Sequence, residues 1–99
     1  MDDWPPPEAR VRAALWQAEG ELERKEYFAA SRTLAAVIAI AGDQRVLVTG
    51  LHHLAAAGYR AQAGEPERAR RQLAHARRRL VSLDDALPLV ELVARDIES

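Results

Sequence analysis

Residues 15–34 read LWQAEGELERKEYFAASRTL, and residues 54–73 read LAAAGYRAQAGEPERARRQL. Laid over one another, Leu15 falls on Leu54, Ala18 on Ala57, Ala30 on Ala69 and Leu34 on Leu73, while Lys25-Glu26 falls on Gly64-Glu65. Leucine and alanine recur at helical spacing on both sides of that break, so each stretch reads as two helices joined by a tight turn. The small alanines mark where the helices cross closely. This is the pattern of a tetratricopeptide-like helical hairpin, and two hairpins are fewer than a solenoid requires. The expectation is an all-α, compact bundle of four to five helices built from two antiparallel hairpins.

Working outward, residues 1–7, with Trp4 and Pro5-Pro6-Pro7, predict an extended arm, and residues 8–99 a single helical-bundle domain. A first helix is expected from Glu8 to about Arg24, with Val11, Leu15, Ala18 and Leu22 on one stripe. A second spans Glu26 to Ala41 and stops at Gly42. Asp43 then caps a third, about Gln44 to Ala63, with Leu47, Leu51, Leu54 and Gly58 facing the core. Pro66 suits the first turn of a fourth that reaches about Ser82. Ser82-Leu83-Asp84-Asp85 reads as capping chemistry for a short fifth helix. Lys25 stands where the second hairpin has Gly64, which predicts a first turn of slightly different geometry.

Composition narrows the function classes. The chain has 99 residues, no cysteine and a formal charge of −1. Disulfides, thiol catalysis and cysteine zinc sites are excluded. The longest apolar run, Leu34 to Ala41, is far too short for a membrane helix. The opening Met1-Asp2-Asp3-Trp4 is acidic where a targeting peptide is basic, so the expected location is the cytoplasm. Charge is nonetheless uneven: residues 60–79 hold seven arginines against two glutamates, between acidic flanks.

Those arginines are the sharpest functional signal. Arg68, Arg70, Arg71, Arg77, Arg78 and Arg79 surround the Ala69–Leu73–Ala76–Leu80 stripe of the fourth helix, and Arg60 joins them from the third. Guanidinium forks bind phosphate and carboxylate bidentately. No aromatic residue is interleaved with the set, however, and the default for such a run is a solvated face, or pairing with the acids of the last helix within the chain or across a dimer. His52 and His53 point about 100° apart on a helix and chelate one ion poorly. His75 sits level with them on the neighbouring helix, away from its apolar stripe. No metal or other cofactor is expected. Ser31 and Ser82 lack a nucleophile's context, and the acids Glu19, Glu21, Glu23 and Glu26 are expected on outer faces, so no catalytic residue is assigned. Trp16 lies off the core stripe and needs cover, expected first from the last helix and otherwise from the Trp4 arm or a second subunit. Val90, Val93 and Ile97 make the last helix amphipathic and pose the same choice between packing and a dimer face.

The segment Leu22 to Ser31, with Tyr27 and Ala30, together with Gly50-Leu51-His52-His53-Leu54-Ala55-Ala56-Ala57 followed by Tyr59 and Gly64, resembles domain-of-unknown-function family 309. That family's first block runs Phe-Asn-x-Gly-x-Tyr, two residues, Ala-His-Glu, then a Glu and a Trp; its second runs Gly-Leu-Ile-Gln-Leu-Ala-x-Ala. The resemblance spans roughly residues 11–80 and implies a compact all-α bundle without implying an activity. Ser31-Arg32 stand in place of His-Glu, Ala35 and Ile38 in place of Glu and Trp, and Lys25 in place of the turn Gly. The expected function is a non-catalytic protein-interaction module, acting through the groove between the hairpins or the arginine face, and self-associating as a homodimer if the apolar faces stay open. The alternative is a nucleic-acid accessory protein using the arginines as phosphate contacts.

Overall fold

A computed structural model describes residues 5–98. Five helices account for most of it: α1 (Pro7–Glu23), α2 (Tyr27–Ala35), α3 (Arg45–Gln62), α4 (Pro66–Leu80) and α5 (Leu87–Glu98). No strand occurs among the described residues. Pro6 is extended, φ −62° and ψ 156°, and Pro7 already occupies the first position of α1. There its missing N–H leaves no hydrogen bond unmade, so the arm ends one residue earlier than expected. Trp4 lies outside the described residues.

The two hairpins form as the internal echo requires. α1 packs on α2, α3 on α4, and α2 on α3. The alanines at the crossings, Ala18, Ala30, Ala57 and Ala69, are fully buried. Both hairpin turns are the same motif, against the expectation of a distinct first turn. Lys25 has φ 63° and Gly64 φ 78°. Glu26 N donates to Glu21 O at 2.8 Å and Lys25 N to Leu22 O at 3.1 Å; Glu65 N donates to Arg60 O at 2.9 Å and Gly64 N to Ala61 O at 3.1 Å. This paired closure satisfies helix-terminal carbonyls that would otherwise lack partners. Lys25 adopts the strained conformation because the double closure demands it, and its ammonium adds an ion pair to Asp96 at 3.1 Å. Lys25→Gly should therefore raise stability by about 0.5–1 kcal/mol, the released strain less a surface ion pair. Gly64→Ala should lower it by about 1 kcal/mol. Urea midpoints of the two variants test both signs.

The link between the hairpins departs from expectation. α2 ends at Ala35, and the chain leaves helical geometry at Val37, φ −117° and ψ 3°. Two 3-10 turns follow, Ile38–Ile40 and Gly42–Gln44. β-Branched Val37, Ile38 and Ile40 are weaker helix formers than the alanines around them. Val37 and Ala41 are buried in the core there, with Ile38 and Ile40 packed against it. Asp43 consequently lies within the second of these turns and does not cap α3, which starts after Gln44 without a side-chain cap. Asp84 and Asp85 likewise belong to a 3-10 turn entered from Leu83 with no side-chain cap.

α5 lies against α1, α3 and α4. It fills the groove between the hairpins, and Val90, Val93 and Ile97 are buried in the common core. Of the choice between packing and a dimer face, those three residues take packing; the groove, expected as a contact surface, is not a free one. This placement also leaves Trp16 without the cover expected of α5, since the indole is 81% exposed. With so little packing to lose, Trp16→Ser should change stability by no more than about 0.5 kcal/mol, readable by thermal denaturation.

Candidate functional site

The arginines separate by partner once folded. Arg77 reaches α5, with Nη1 3.2 Å from Glu98 and Nη2 4.0 Å from Glu91. Arg60 and Arg68 share Glu65, at 3.0 and 3.7 Å. Arg78 donates to Nδ1 of His75 at 2.7 Å. Arg70, Arg71 and Arg79 are exposed and make no ion pair among the described residues. Pairing by the acids of the last helix, expected for the set, extends among the described residues to Arg77.

Local sequence places these groups well. Pro66 and Glu67 open α4, and Arg77, Arg78 and Arg79 close it, so charge complements the helix dipole at both ends. The stripe Ala69, Leu73, Ala76 and Leu80 is buried. The arginines are thereby held at the rim and the outside of the helix.

The fold adds what the sequence reading lacked. Phe28 of α2 and Tyr59 of α3 meet with ring centroids 5.2 Å apart and planes at 39°. Phe28 is 53% exposed and Tyr59 38%. The guanidinium carbon of Arg32 sits 6.0 Å from the Phe28 ring centre, and that of Arg60 5.8 Å from the Tyr59 ring centre. Aromatic rings therefore do stand among the arginines, one supplied by each of two helices. Nothing in local spacing announces the pair; it follows only from packing α2 on α3.

The histidines complete a continuous polar surface over α2, α3 and α4. Ser31 Oγ lies 3.4 Å from His52 Nε2. His53 Nδ1 donates to Gln72 Oε1 at 2.8 Å, and the His53 and His75 rings are 5.5 Å apart. The level match of His75 with His53 is as expected. Among the described residues no three His, Asp or Glu side chains are grouped to hold a metal ion. Ser31 does acquire a histidine neighbour, but at a distance that makes a weak hydrogen bond. Among the described residues no carboxylate hydrogen-bonds to His52 to orient it as a base.

Burial, and then neighbouring His53, holds His52 below the ordinary imidazole value. Between that ordinary value of about 6.5 and the lower folded one, the unfolded chain binds a proton that the folded chain does not. Stability should accordingly fall as pH drops from about 7.5 to about 5.5. His52→Gln should weaken that dependence, and urea midpoints at the two pH values would show it. Equal pH dependence in both proteins would remove His52 as its source.

One acid departs from the outer position expected of it. Glu21 is not on an outer face: it is 7% exposed between α1 and α2. Thr33 Oγ1 donates to one oxygen at 2.8 Å and Gln17 Nε2 to the other at 3.1 Å. Both oxygens are engaged in bracing the hairpin, as a buried carboxylate requires. Elsewhere an open cleft of about 560 Å³ separates the start of α1 from the link before α3, lined by Val11, Leu15, Ile40 and Ala41 with Arg12 and Asp43. Its mixed lining presents no nucleophile beside a base.

Charge is segregated at the scale of the whole molecule. From Tyr27 to Leu80 the sequence carries nine arginines and all three histidines against Asp43, Glu65 and Glu67, and the other acids lie before or after. A total of only −1 thus conceals a basic α2–α4 layer beside acidic α1 and α5. No helix of the described residues is long and apolar enough to cross a membrane. Comparisons with family models, curated proteins and solved structures found no match.

Proposed function

We propose that this chain is a small, non-catalytic interaction module whose working surface is the basic layer of α2, α3 and α4. Its partner presents an extended array of negative charge. The observation that carries this reading is the charge segregation: an exposed layer rich in arginine with three acids in its whole stretch of sequence. Arginine forks suit carboxylate and phosphate alike. An acidic protein surface is one partner of that kind. The alternative, nucleic acid, gains from the Phe28–Tyr59 pair, which removes the objection that the arginines lack aromatic company.

Several features support a binding role over a chemical one. Ser31 and His52 have no orienting carboxylate among the described residues, and Glu21 is used structurally. Self-association through Val90, Val93 and Ile97 has no support, since those side chains fill the core. We assign the chain to the cytoplasm on this reading. The resemblance to domain-of-unknown-function family 309 belongs to the same proposal; it agrees with an all-helical bundle and adds no activity.

The test is direct binding to a polyanion as salt is varied. Affinity for either an oligoglutamate peptide or an oligonucleotide should fall steeply between about 50 and 200 mM salt. Exchanging Arg71 and Arg79 for Gln should weaken binding and flatten the salt dependence. Binding that ignores both salt and these substitutions would mean that the basic layer is only a solvated surface.

A further inference from the structure

We propose that Phe28 and Tyr59 form a base-stacking platform for single-stranded nucleic acid, flanked by Arg32 and Arg60. This inference rests on the polyanion reading above and names its partner. Three observations converge on one place. The two rings come from different helices and share a contact while each keeps an exposed surface, 53% for Phe28 and 38% for Tyr59. Each ring has a guanidinium within about the range of a cation–π contact, Arg32 at 6.0 Å and Arg60 at 5.8 Å. Arg60 is steadied in that position by Glu65 at 3.0 Å, while Arg32 makes no ion pair among the described residues and is free to meet a phosphate.

The chemistry selects among anionic partners. Carboxylates on an acidic protein would use the arginines but do not themselves recognise the two exposed rings. A duplex keeps the faces of its bases stacked inside. A single strand offers both a charged backbone and free π faces, and stacking on an aromatic side chain accepts any base. The rings are tilted by 39° and do not close face to face, and each keeps part of its surface exposed. From the platform the layer continues through Arg60 and Arg68 onto α4, where Arg71 and Arg79 are without acidic partners among the described residues. A backbone leaving the stacked bases meets positive charge along that route.

The experiment uses fluorescence anisotropy with a labelled oligouridine of roughly twelve nucleotides. A duplex and an oligoglutamate of matching charge serve as competitors. Phe28→Leu and Tyr59→Leu keep an apolar side chain and lose the π face; Phe28→Tyr and Tyr59→Phe keep it. The leucine variants should bind about tenfold more weakly with an unchanged salt slope, and the conservative variants should bind like the parent. The single strand should outcompete both duplex and peptide. Circular dichroism on each variant checks folding, and both rings are exposed enough for substitution. If the oligonucleotide binds and Phe28→Leu and Tyr59→Leu bind equally well, the platform is overturned while the polyanion reading stands. Peptide or duplex binding as tight as the single strand overturns the platform in the same way. No binding of any polyanion at low salt removes both.

Discussion

Gly58→Ala is expected to destabilise the protein by about 1 kcal/mol net, although alanine is the better helix former. Gly58 lies within α3, and a Cβ there would run into Cγ, Cδ1 and Cδ2 of Tyr27. Those ring atoms cannot swing aside. Tyr27 is the largest fully buried side chain, and its hydroxyl is tied to Asp96 at 2.6 Å. Relief therefore has to come from moving α2 against α3, and overpacking of that kind costs about 1–3 kcal/mol. About 1 kcal/mol returns through helix propensity. Gly20→Ala provides the control of opposite sign. Its Cβ would meet only the guanidinium tip of Arg24, 3.1 Å from Nη1, which can move into solvent. That variant should gain up to about 1 kcal/mol. Chemical denaturation of the two variants decides the matter, and a Gly58→Ala protein as stable as the parent would mean that the α2–α3 contact yields freely. Combining Gly58→Ala with Tyr27→Leu should harm less than the separate losses imply, because the added methyl then has somewhere to go.

The hairpins were legible because their signals are local and repeated. Leucine and alanine at helical spacing, Pro66 at a helix start and Gly64 at a helix end each act within a turn or two of chain. The overlay of Lys25 on Gly64 was informative in a way the residue types conceal. Position mattered more than side chain, since the hydrogen bonds from Lys25 and Glu26 impose the left-handed conformation that glycine would adopt freely. The link from Ala36 to Gln44 was not legible. Leu34, Val37 and Ala41 keep the spacing of one helix face and are all buried, so periodicity reads straight through the break.

The candidate site divides along the same line. The arginines of α4 could be counted in the sequence, and their exposure follows from the buried stripe beside them. Phe28 and Tyr59 are 31 positions apart and neither belongs to a motif, so their contact is a product of how the hairpins dock. Glu21 is a similar case. Its neighbours Glu19 and Glu23 face solvent, and one step around the helix turns an identical side chain inward toward Thr33. The last helix is amphipathic in sequence, yet amphipathicity alone does not say whether the apolar side meets this chain or another. The groove left by two hairpins decided it: α5 lies there.

Tyr27→Phe isolates the hydrogen bond that ties α5 to the first hairpin turn, and it should cost about 2 kcal/mol near neutral pH. The Tyr27 hydroxyl donates to Asp96 Oδ2 at 2.6 Å, and Lys25 Nζ stands 3.1 Å from Oδ1. The Tyr27 hydrogen bond is the main reason that Asp96 ionises below the usual carboxylate range; Lys25 assists, and burial opposes. A depressed carboxylate contributes stability above its unfolded value of about 3.9, and that contribution disappears as pH falls through the folded value. Tyr27 shifts the other way. Burial, then the hydrogen bond and charge of Asp96, push its ionisation well above the ordinary tyrosine value. Below about 10 that contribution is whole, and it is lost as pH rises toward the folded value. The stability gap between the parent and Tyr27→Phe should therefore be widest between about pH 5 and 9 and narrow on both sides. In a Tyr59→Phe background, tyrosinate absorbance should rise only as the alkaline protein unfolds. A gap that stays constant across the whole pH range would assign the loss to packing, because a hydrogen bond to an ionised Asp96 must weaken when either partner changes its protonation.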